Sequence, residues 1–372
     1  MCEASRFASG NQSADGWREI KKYQEKASTK TMKQKIPLSL FLGAVCHAPR
    51  GHRISVARRL LSSPSDDVAT PAAEVCEFKS PDDYGRNYAH LSTLLGCDGK
   101  IPPAGEIEFL HSMLHRPVHH LGAIGCGDYC FLTALISILA PRRVIEIGTC
   151  TGFSAAVMAS ALSRRHGNNS SAWVDTIDVR LKIDETRPIG FEIPEVIPDL
   201  TAMVRLHIPH DATFVSELAK RDELEIVFID ANHHHPWPLL DLLRLAPYVR
   251  SGGWIVLHDI QLGTIGRKAI EVGQAWKYDA SYGAEWLFDN WPFRKISAAT
   301  DLKSVKRIQE VCAELERWVR GLGSNIGAVQ LPNDKSALIP FALRLMSVPF
   351  EITGKAATRA RRALYQSFGQ LI

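Results

Sequence analysis

The sequence predicts an α/β fold: a doubly wound, mostly parallel sheet of about seven strands, with helices on both faces and helical extensions at either end. Three observations predict it. Short β-branched runs alternate with helical patterns from Arg142 to Pro332, the cadence of strand–crossover–strand units. The first such run, RRVIEIGTCTGFSAAVMAS from Arg142 to Ser160, joins a strand to a small-residue helix through a glycine turn. Acids stand directly after several of the strands, at the edge where open parallel sheets bind ligands.

Composition fits that class and narrows the function. The chain has 372 residues, 45% apolar and 23% charged, which suits a globular protein with a sizeable core. Residues 1–35 carry eight Lys or Arg against four acids, and residues 341–372 carry five against one. Both ends are therefore positive by four, and with +4 overall the middle stands at −4. That argues against a specific nucleic-acid footprint on the body. No apolar run approaches the roughly 18 residues of a membrane span, and MCEASRFASGNQSADG lacks the apolar core of a signal peptide. A cytoplasmic protein without membrane partners is expected. Eight cysteines at irregular spacing read as reduced thiols rather than a disulfide framework. Cys126 and Cys130 lack a second pair, so structural zinc is not expected.

Taken in order, residues 1–35 are polar and lysine-rich and read as a disordered or mobile arm. Residues 36–140 read as a helical N-terminal extension. It opens on PLSLFLGAV and continues through HRISVARRLLSS, a basic amphipathic helix with Ile54, Ala57, Leu60 and Leu61 on one side. A linker follows around Pro64 to Pro71, then helices at Tyr84 to Leu95, Ala104 to Leu114 and Asp128 to Leu139, the last ended by Pro141. His111, His115, His119 and His120 cluster here, but the interval of four suits one face only for the first three and Pro117 interrupts it, so no metal site is assigned to them.

Residues 141–332 form the core domain. Its strands are expected at Val144 to Ile147, Trp173 to Ile177, Met203 to His207, Glu225 to Ile229, Trp254 to Leu257, Arg294 to Ser297 and Ile326 to Leu331. Proline-rich Leu181 to Thr201 and Gly263 to Tyr282 read as surface insertions, and helices are expected at Trp237 to Tyr248, Ala284 to Asn290 and Lys303 to Arg320. Residues 333–372 are a C-terminal extension with a helix from about Lys355, whose Ala, Leu and Phe positions suit packing on the body or on a second subunit, and a homo-oligomer is expected.

The residues with chemistry gather at strand ends. Gly148 and Gly152 allow positive φ or close approach to a ligand, and Thr151 or Ser154 suits a helix cap. The spacing is not the dinucleotide pattern, because the places of its three glycines hold Gly148, Cys150 and Phe153, which disfavours a nucleotide-dependent oxidoreductase. Asp178, about 30 residues past the turn, suits a carboxylate accepting two ribose hydroxyls, and Asp211 suits an adenine amino group. Asp230 and Asp259, with Asn232, offer hard oxygens to a divalent ion such as magnesium. His233, three residues past Asp230, suits a general base beside it.

Together, EIGTCTGFS, TIDVR, HDATF, FIDANHHHPWPLLDLLRLAPYVRSGGWIVLHDI, GAEWLFDNW and GSNIGAVQLP resemble class I S-adenosylmethionine-dependent methyltransferases. More narrowly, they resemble the family of macrocin- and mycinamicin-type sugar O-methyltransferases and the cephalosporin-modifying methyltransferase. The resemblance covers about Pro141 to Pro332. It implies a Rossmann-like domain that uses S-adenosyl-L-methionine to methylate a hydroxyl of a small-molecule acceptor, a natural product or sugar-like compound, with Mg2+. It also implies that Glu146, Gly148, Thr149 and Gly152 hold the methionine part of the cofactor and Asp178 its ribose. Asp230 and Asp259 would hold the metal, and His233 would be the base. Two positions depart from the family pattern: Cys150 replaces a glycine of the turn, and His258 stands where the macrolide-sugar enzymes have the first of two acids. The alternative of another class is a non-catalytic cofactor-binding or assembly protein with the same fold, to which the basic ends lend support.

Overall fold

A computed structural model describes residues 36–62, 70–116, 123–168, 171–273 and 281–372. The expected arm at 1–35, most of the expected linker, and His119 and His120 lie outside the described residues.

Eight strands form one sheet: β1 (Glu74–Val75), β2 (Arg143–Ile147), β3 (Trp173–Ile177), β4 (Val204–His207), β5 (Leu224–Ile229), β6 (Val249–His258), β7 (Lys295–Ser297) and β8 (Ile326–Gln330). Their spatial order is β1-β7-β8-β6-β5-β2-β3-β4. The seven expected strands all form; β1 is the addition. It runs parallel to β7 and is tied there by Arg294, whose guanidinium donates to Glu74 at 3.0 and 2.9 Å. Two residues are too few for a period-2 pattern to show in a sequence. Only the β8 pairings, with β6 and β7, are antiparallel.

From β2 the chain winds outward through β3 to β4, then returns to the other side of β2 for β5 and β6. The order reverses between β2 and β5, which opens a crevice at their carboxyl ends. The central strands are buried on both faces and therefore read as nearly continuous apolar runs. Their alternation sorts them into two cores. Ile145, Ile147, Val227, Ile229, Ile255 and Leu257 face one layer, while Val144, Ile226, Phe228, Trp254 and Val256 face the other.

The first layer includes helices Trp237–Leu245, Leu338–Met346 and Gly354–Ser367, together with the early helices Leu38–His47 and Arg53–Leu61. The second is built from Tyr84–Leu94, Glu106–Met113, Cys126–Leu139 and Phe153–His166. Residues 36–140 thus divide between the two faces of the sheet. In the C-terminal helix, Ala360, Leu364, Tyr365 and the following Phe368 are buried against the body of this chain. The stretch expected as a second surface insertion begins as helix Leu262–Glu271, which packs Ile265 and Ala269 on Val311 and Leu315 of helix Ile308–Val319. No helix among the described residues is long and apolar enough to cross a membrane.

Candidate active site

The glycine turn after β2 sits at the switch point. Gly148 has φ +100 and donates its N–H to Ile177 O at 2.8 Å. On its other side Asp230 N donates to Ile147 O at 2.8 Å, so β3 and β5 close on the turn together. A Cβ at Gly148 would lie 1.9 Å from Asp230 O. Cys150 also has positive φ, +47, a conformation a side chain resists. It is held there in part by its N–H, which donates to Asp178 Oδ2 at 3.1 Å. Asp178 Oδ1 accepts Arg180 N at 2.9 Å. Arg180 Nε also approaches Oδ1 at 3.4 Å, so the acid after β3 is buried against the turn with a lone pair left on Oδ2 for a hydroxyl. Gly152 has φ +88, and a Cβ there would meet Ile193 Cγ1 at 2.5 Å.

Glu146 and Thr149 lie beneath this turn. Glu146 is fully buried, accepts hydrogen bonds from Ser154 and Thr176, and so ties the helix start to β3. Thr149 Oγ1 lies 2.6 Å from Thr176 Oγ1. Burial is the main reason the Glu146 carboxyl is pushed up to about 8; the Asp230 and Asp178 charges add to it and the Ser154 and Thr176 hydrogen bonds oppose it. The unfolded chain ionises first, near 4.5. The Glu146 contribution to stability is therefore complete below that pH and is lost as pH rises toward 8. Replacing Glu146 with Gln should make the melting temperature of the variant gain on the wild type steadily across that window. Parallel melting curves for the two proteins would refute it.

A linked set of carboxylates and imidazoles fills the crevice floor. Ile229 pairs with Leu257 in parallel register, so the next residues, Asp230 and His258, stand side by side. His258 Nδ1 lies 3.1 Å from Asp230 Oδ1 and 3.5 Å from Asp259 Oδ1. Its Nε2 lies 3.2 Å from Asp128 Oδ2. Burial alone would push the His258 pKa down; the charges of Asp230 and Asp259 and the hydrogen bonds to Asp128 and Asp230 reverse that and raise it well above the usual imidazole range. Asp259 follows with φ +58, a turn that swings its carboxylate under the loop after β5. There Asp259 Oδ2 lies 3.0 Å from His233 Nε2, and Asp259 Oδ1 accepts Asn325 Nδ2 at 2.8 Å. Burial works against the Asp259 charge, but His258, His233 and the hydrogen bonds outweigh it and lower its pKa to about 2.

The loop after β5 separates three adjacent histidines by role. His233 reaches Asp259 and keeps 29% of its side chain exposed. His234 Nδ1 meets Ser281 Oγ at 3.2 Å. His235 is buried, meets Leu345 O at 3.1 Å through Nε2 and is held neutral, chiefly by burial, with its pKa lowered to about 4. Asn232, weighed above as an oxygen ligand, is exposed and turns away: its Oδ1 accepts His234 N at 3.0 Å and closes the loop. Asp211 caps the turn Ala212–Phe214 by accepting Thr213 N at 3.0 Å, and it pairs with Arg244 at 3.1 Å. Among the described residues, the group with metal-ligating geometry is Asp230, His233 and Asp259, one donor atom of each within 4.8 Å of the others. His111 instead pairs with Asp82 at 3.4 Å.

Sequence reasoning missed Asp128 and Asn325. Asp128 lies in the first turn of helix Cys126–Leu139, 102 residues ahead of Asp230 in the chain, and only tertiary packing brings it to the site. The available signal was an acid at the head of an otherwise apolar helix.

Residues 145–260 match the family model described as a methyltransferase domain, and residues 107–176 match the O-methyltransferase model. No curated protein matches the chain. Similar solved structures include cofactor-bound Rv0187 from MTB, at 19% identity over 66% of this chain and 95% of that one, TM-score 0.38. The O-methyltransferase TomG from Streptomyces achromogenes, in complex with SAM, is 16% identical over 68% of this chain and all of that one (100%), TM-score 0.38. An O-methyltransferase from Bacillus cereus in complex with SAH is 19% identical over 67% and 99%, TM-score 0.34. Two methyltransferase models are thus matched along 107–260, and the stretch that holds the glycine turn and the strand ends described above is similar to a methyltransferase domain.

Proposed function

We propose that the protein methylates a hydroxyl of a small-molecule acceptor, of natural-product or sugar-like kind, with His233 as general base. The observation that carries this reading is His233 itself, partly exposed at the crevice and joined through Nε2 to buried Asp259 at 3.0 Å. A buried carboxylate in that position fixes the ring and stabilises the imidazolium that forms when the other nitrogen takes a proton. The net charge of −4 between the basic ends supports a small acceptor over a nucleic acid.

S-adenosylmethionine, when bound, supplies a methyl group on a sulfonium, and its C–S electron pair leaves with sulfur as the thioether. The chain binds and orients. Gly148 and Gly152 shape the turn, and Asp178 offers Oδ2, which has one donor in place, to a ribose hydroxyl. His233 removes the acceptor proton as the oxygen forms its bond to the methyl carbon. Asp230, His233 and Asp259 also fit a divalent ion as a donor set. Magnesium prefers oxygen, so the two acids would hold it, where it would acidify the acceptor hydroxyl and leave His233 free for the proton.

Calorimetry of S-adenosylmethionine binding, combined with transfer of a labelled methyl group to a panel of hydroxylated compounds, tests the reading. Replacing Asp178 with Ala should weaken cofactor binding by roughly 10- to 150-fold, the cost of hydrogen bonds to a buried carboxylate. Unchanged affinity in folded D178A protein would refute the ribose assignment, and label appearing only in protein or RNA would refute the acceptor class.

A further inference from the structure

A base works only where its loop holds it, and the C-terminal extension grips the loop that carries His233. Glu351 meets His235 twice through the backbone: its carboxylate Oε2 accepts His235 N, and its own N–H donates to His235 O at 2.9 Å. The same carboxylate accepts Tyr282 N, at 3.2 Å through Oε1 and 3.4 Å through Oε2. Tyr282 leads into helix Gly283–Asp289, and Gly283 N donates to His233 O at 3.0 Å. One carboxylate thus joins two stretches of chain that meet again at the carbonyl of His233.

Side chains reinforce the join. Tyr282 Oη donates to Pro349 O at 2.7 Å, and His235 Nε2 lies 3.1 Å from Leu345 O. The His235 ring stacks on Tyr282, with centroids 6.1 Å apart, and meets Phe350 edge-on at 5.2 Å. A Cβ at Gly283 would lie 2.5 Å from His233 O and 2.6 Å from His235 N, so the two stretches touch backbone to backbone. Backbone N–H groups aimed at a carboxylate make charge-assisted hydrogen bonds, stronger than neutral ones. His233 is then fixed at both ends, its carbonyl by Gly283 and its ring by Asp259.

We propose that Glu351 is a positioning residue for methyl transfer: it staples the His233–His235 loop to Tyr282–Gly283 and so fixes the base, which makes the C-terminal extension a working part of the active site. This rests on the reading above in which His233 is the base. Glu351 acts through the loop backbone. A general base must stay within hydrogen-bond reach of the proton it takes, and a displacement of about 1 Å can cost about a hundredfold in rate.

The test is a double-mutant cycle in the full-length protein, with kcat measured on the compound of the hydroxylated panel that takes the label fastest. Glu351→Ala should lower kcat at least about tenfold and leave S-adenosylmethionine affinity within about twofold of wild type. Glu351→Gln, which keeps one carbonyl acceptor, should fall between the two. In the His233→Ala background, Glu351→Ala should change kcat by less than about twofold, because no base is left to misplace. A purely structural role would lower kcat by the same factor in both backgrounds. That result would overturn the proposal, as would kcat within about twofold of wild type in folded E351A. Amide hydrogen exchange, read by mass spectrometry, needs no acceptor. Gly283 N bonds to His233 O and not to Glu351, yet its exchange should quicken at least about tenfold in E351A, while Asp230 N, held by Ile147 O, keeps its wild-type rate. Unchanged exchange at Gly283 would equally overturn the proposal. If E351A does not fold, E351Q carries the same comparisons. The two readings fail distinguishably. Full activity in H233A sinks the base assignment and the positioning role with it; a lowered kcat in H233A, with equal Glu351 effects in both backgrounds, sinks the positioning role alone.

Discussion

Replacing His233 with Ala is expected to lower the turnover number for methyl transfer by about two to four powers of ten, the range for losing a general base. S-adenosylmethionine affinity should stay within about twofold of wild type, since the His233 ring contact is with Asp259 and not with the glycine turn. The loss should therefore fall on kcat. Because the ring is 29% exposed, added free imidazole has a path into the space it vacates and should restore part of the rate. His234→Ala is the control: its ring is engaged with Ser281, so its effect on kcat should be far smaller. Turnover of H233A within about threefold of wild type would remove the base from this position.

The largest expected effect on stability is at Gly148. Alanine there meets two separate obstacles. The backbone is at φ +100, a region that side chains rarely adopt, and the new Cβ would lie 1.9 Å from Asp230 O, a backbone atom in the adjoining strand end. Neither can be relieved by rotating a side chain, so β2 and β5 would have to part at the switch point. A loss of roughly 3 kcal/mol or more is expected, together with loss of cofactor binding in whatever fraction still folds. Gly85→Ala is the matched comparison. That residue lies in helix Tyr84–Leu94, with nothing within 4 Å of the added Cβ. Alanine there should be neutral or stabilising by about 0.5–1 kcal/mol. Thermal or denaturant unfolding of both variants checks the pair, and a G148A melting curve that overlays the wild type would overturn the close-approach argument.

The sequence by itself determined the strand–helix cadence and the places where most strands lie. Central parallel strands are buried on both faces, so Val144 to Ile147 and Leu224 to Ile229 must be apolar almost throughout, and that need is written locally. The glycine turn was legible for the same reason, since positive φ at Gly148 and Gly152 is a demand on a single residue. The strand-end acids Asp178, Asp230 and Asp259 were visible because loops follow apolar runs directly.

Tertiary structure alone decided who stands beside whom. Register between β5 and β6 places His258, the residue before Asp259, level with Asp230, and the positive φ of Asp259 then turns its carboxylate toward His233. Three consecutive histidines look alike in a sequence; packing gives one to Asp259, one to Ser281 and one to the core. Asn232 was spent on closing its own loop. Asp128 reaches the site from the head of a helix and Asn325 from the residue before β8, both far away in the chain, and residues 36–62 part from the helices that follow them to pack with the C-terminal ones. Apolar periodicity says that a face will be buried but carries no information about its partner. A hydrogen bond between distant residues leaves no spacing to read, and it is settled only when the whole chain closes on one core.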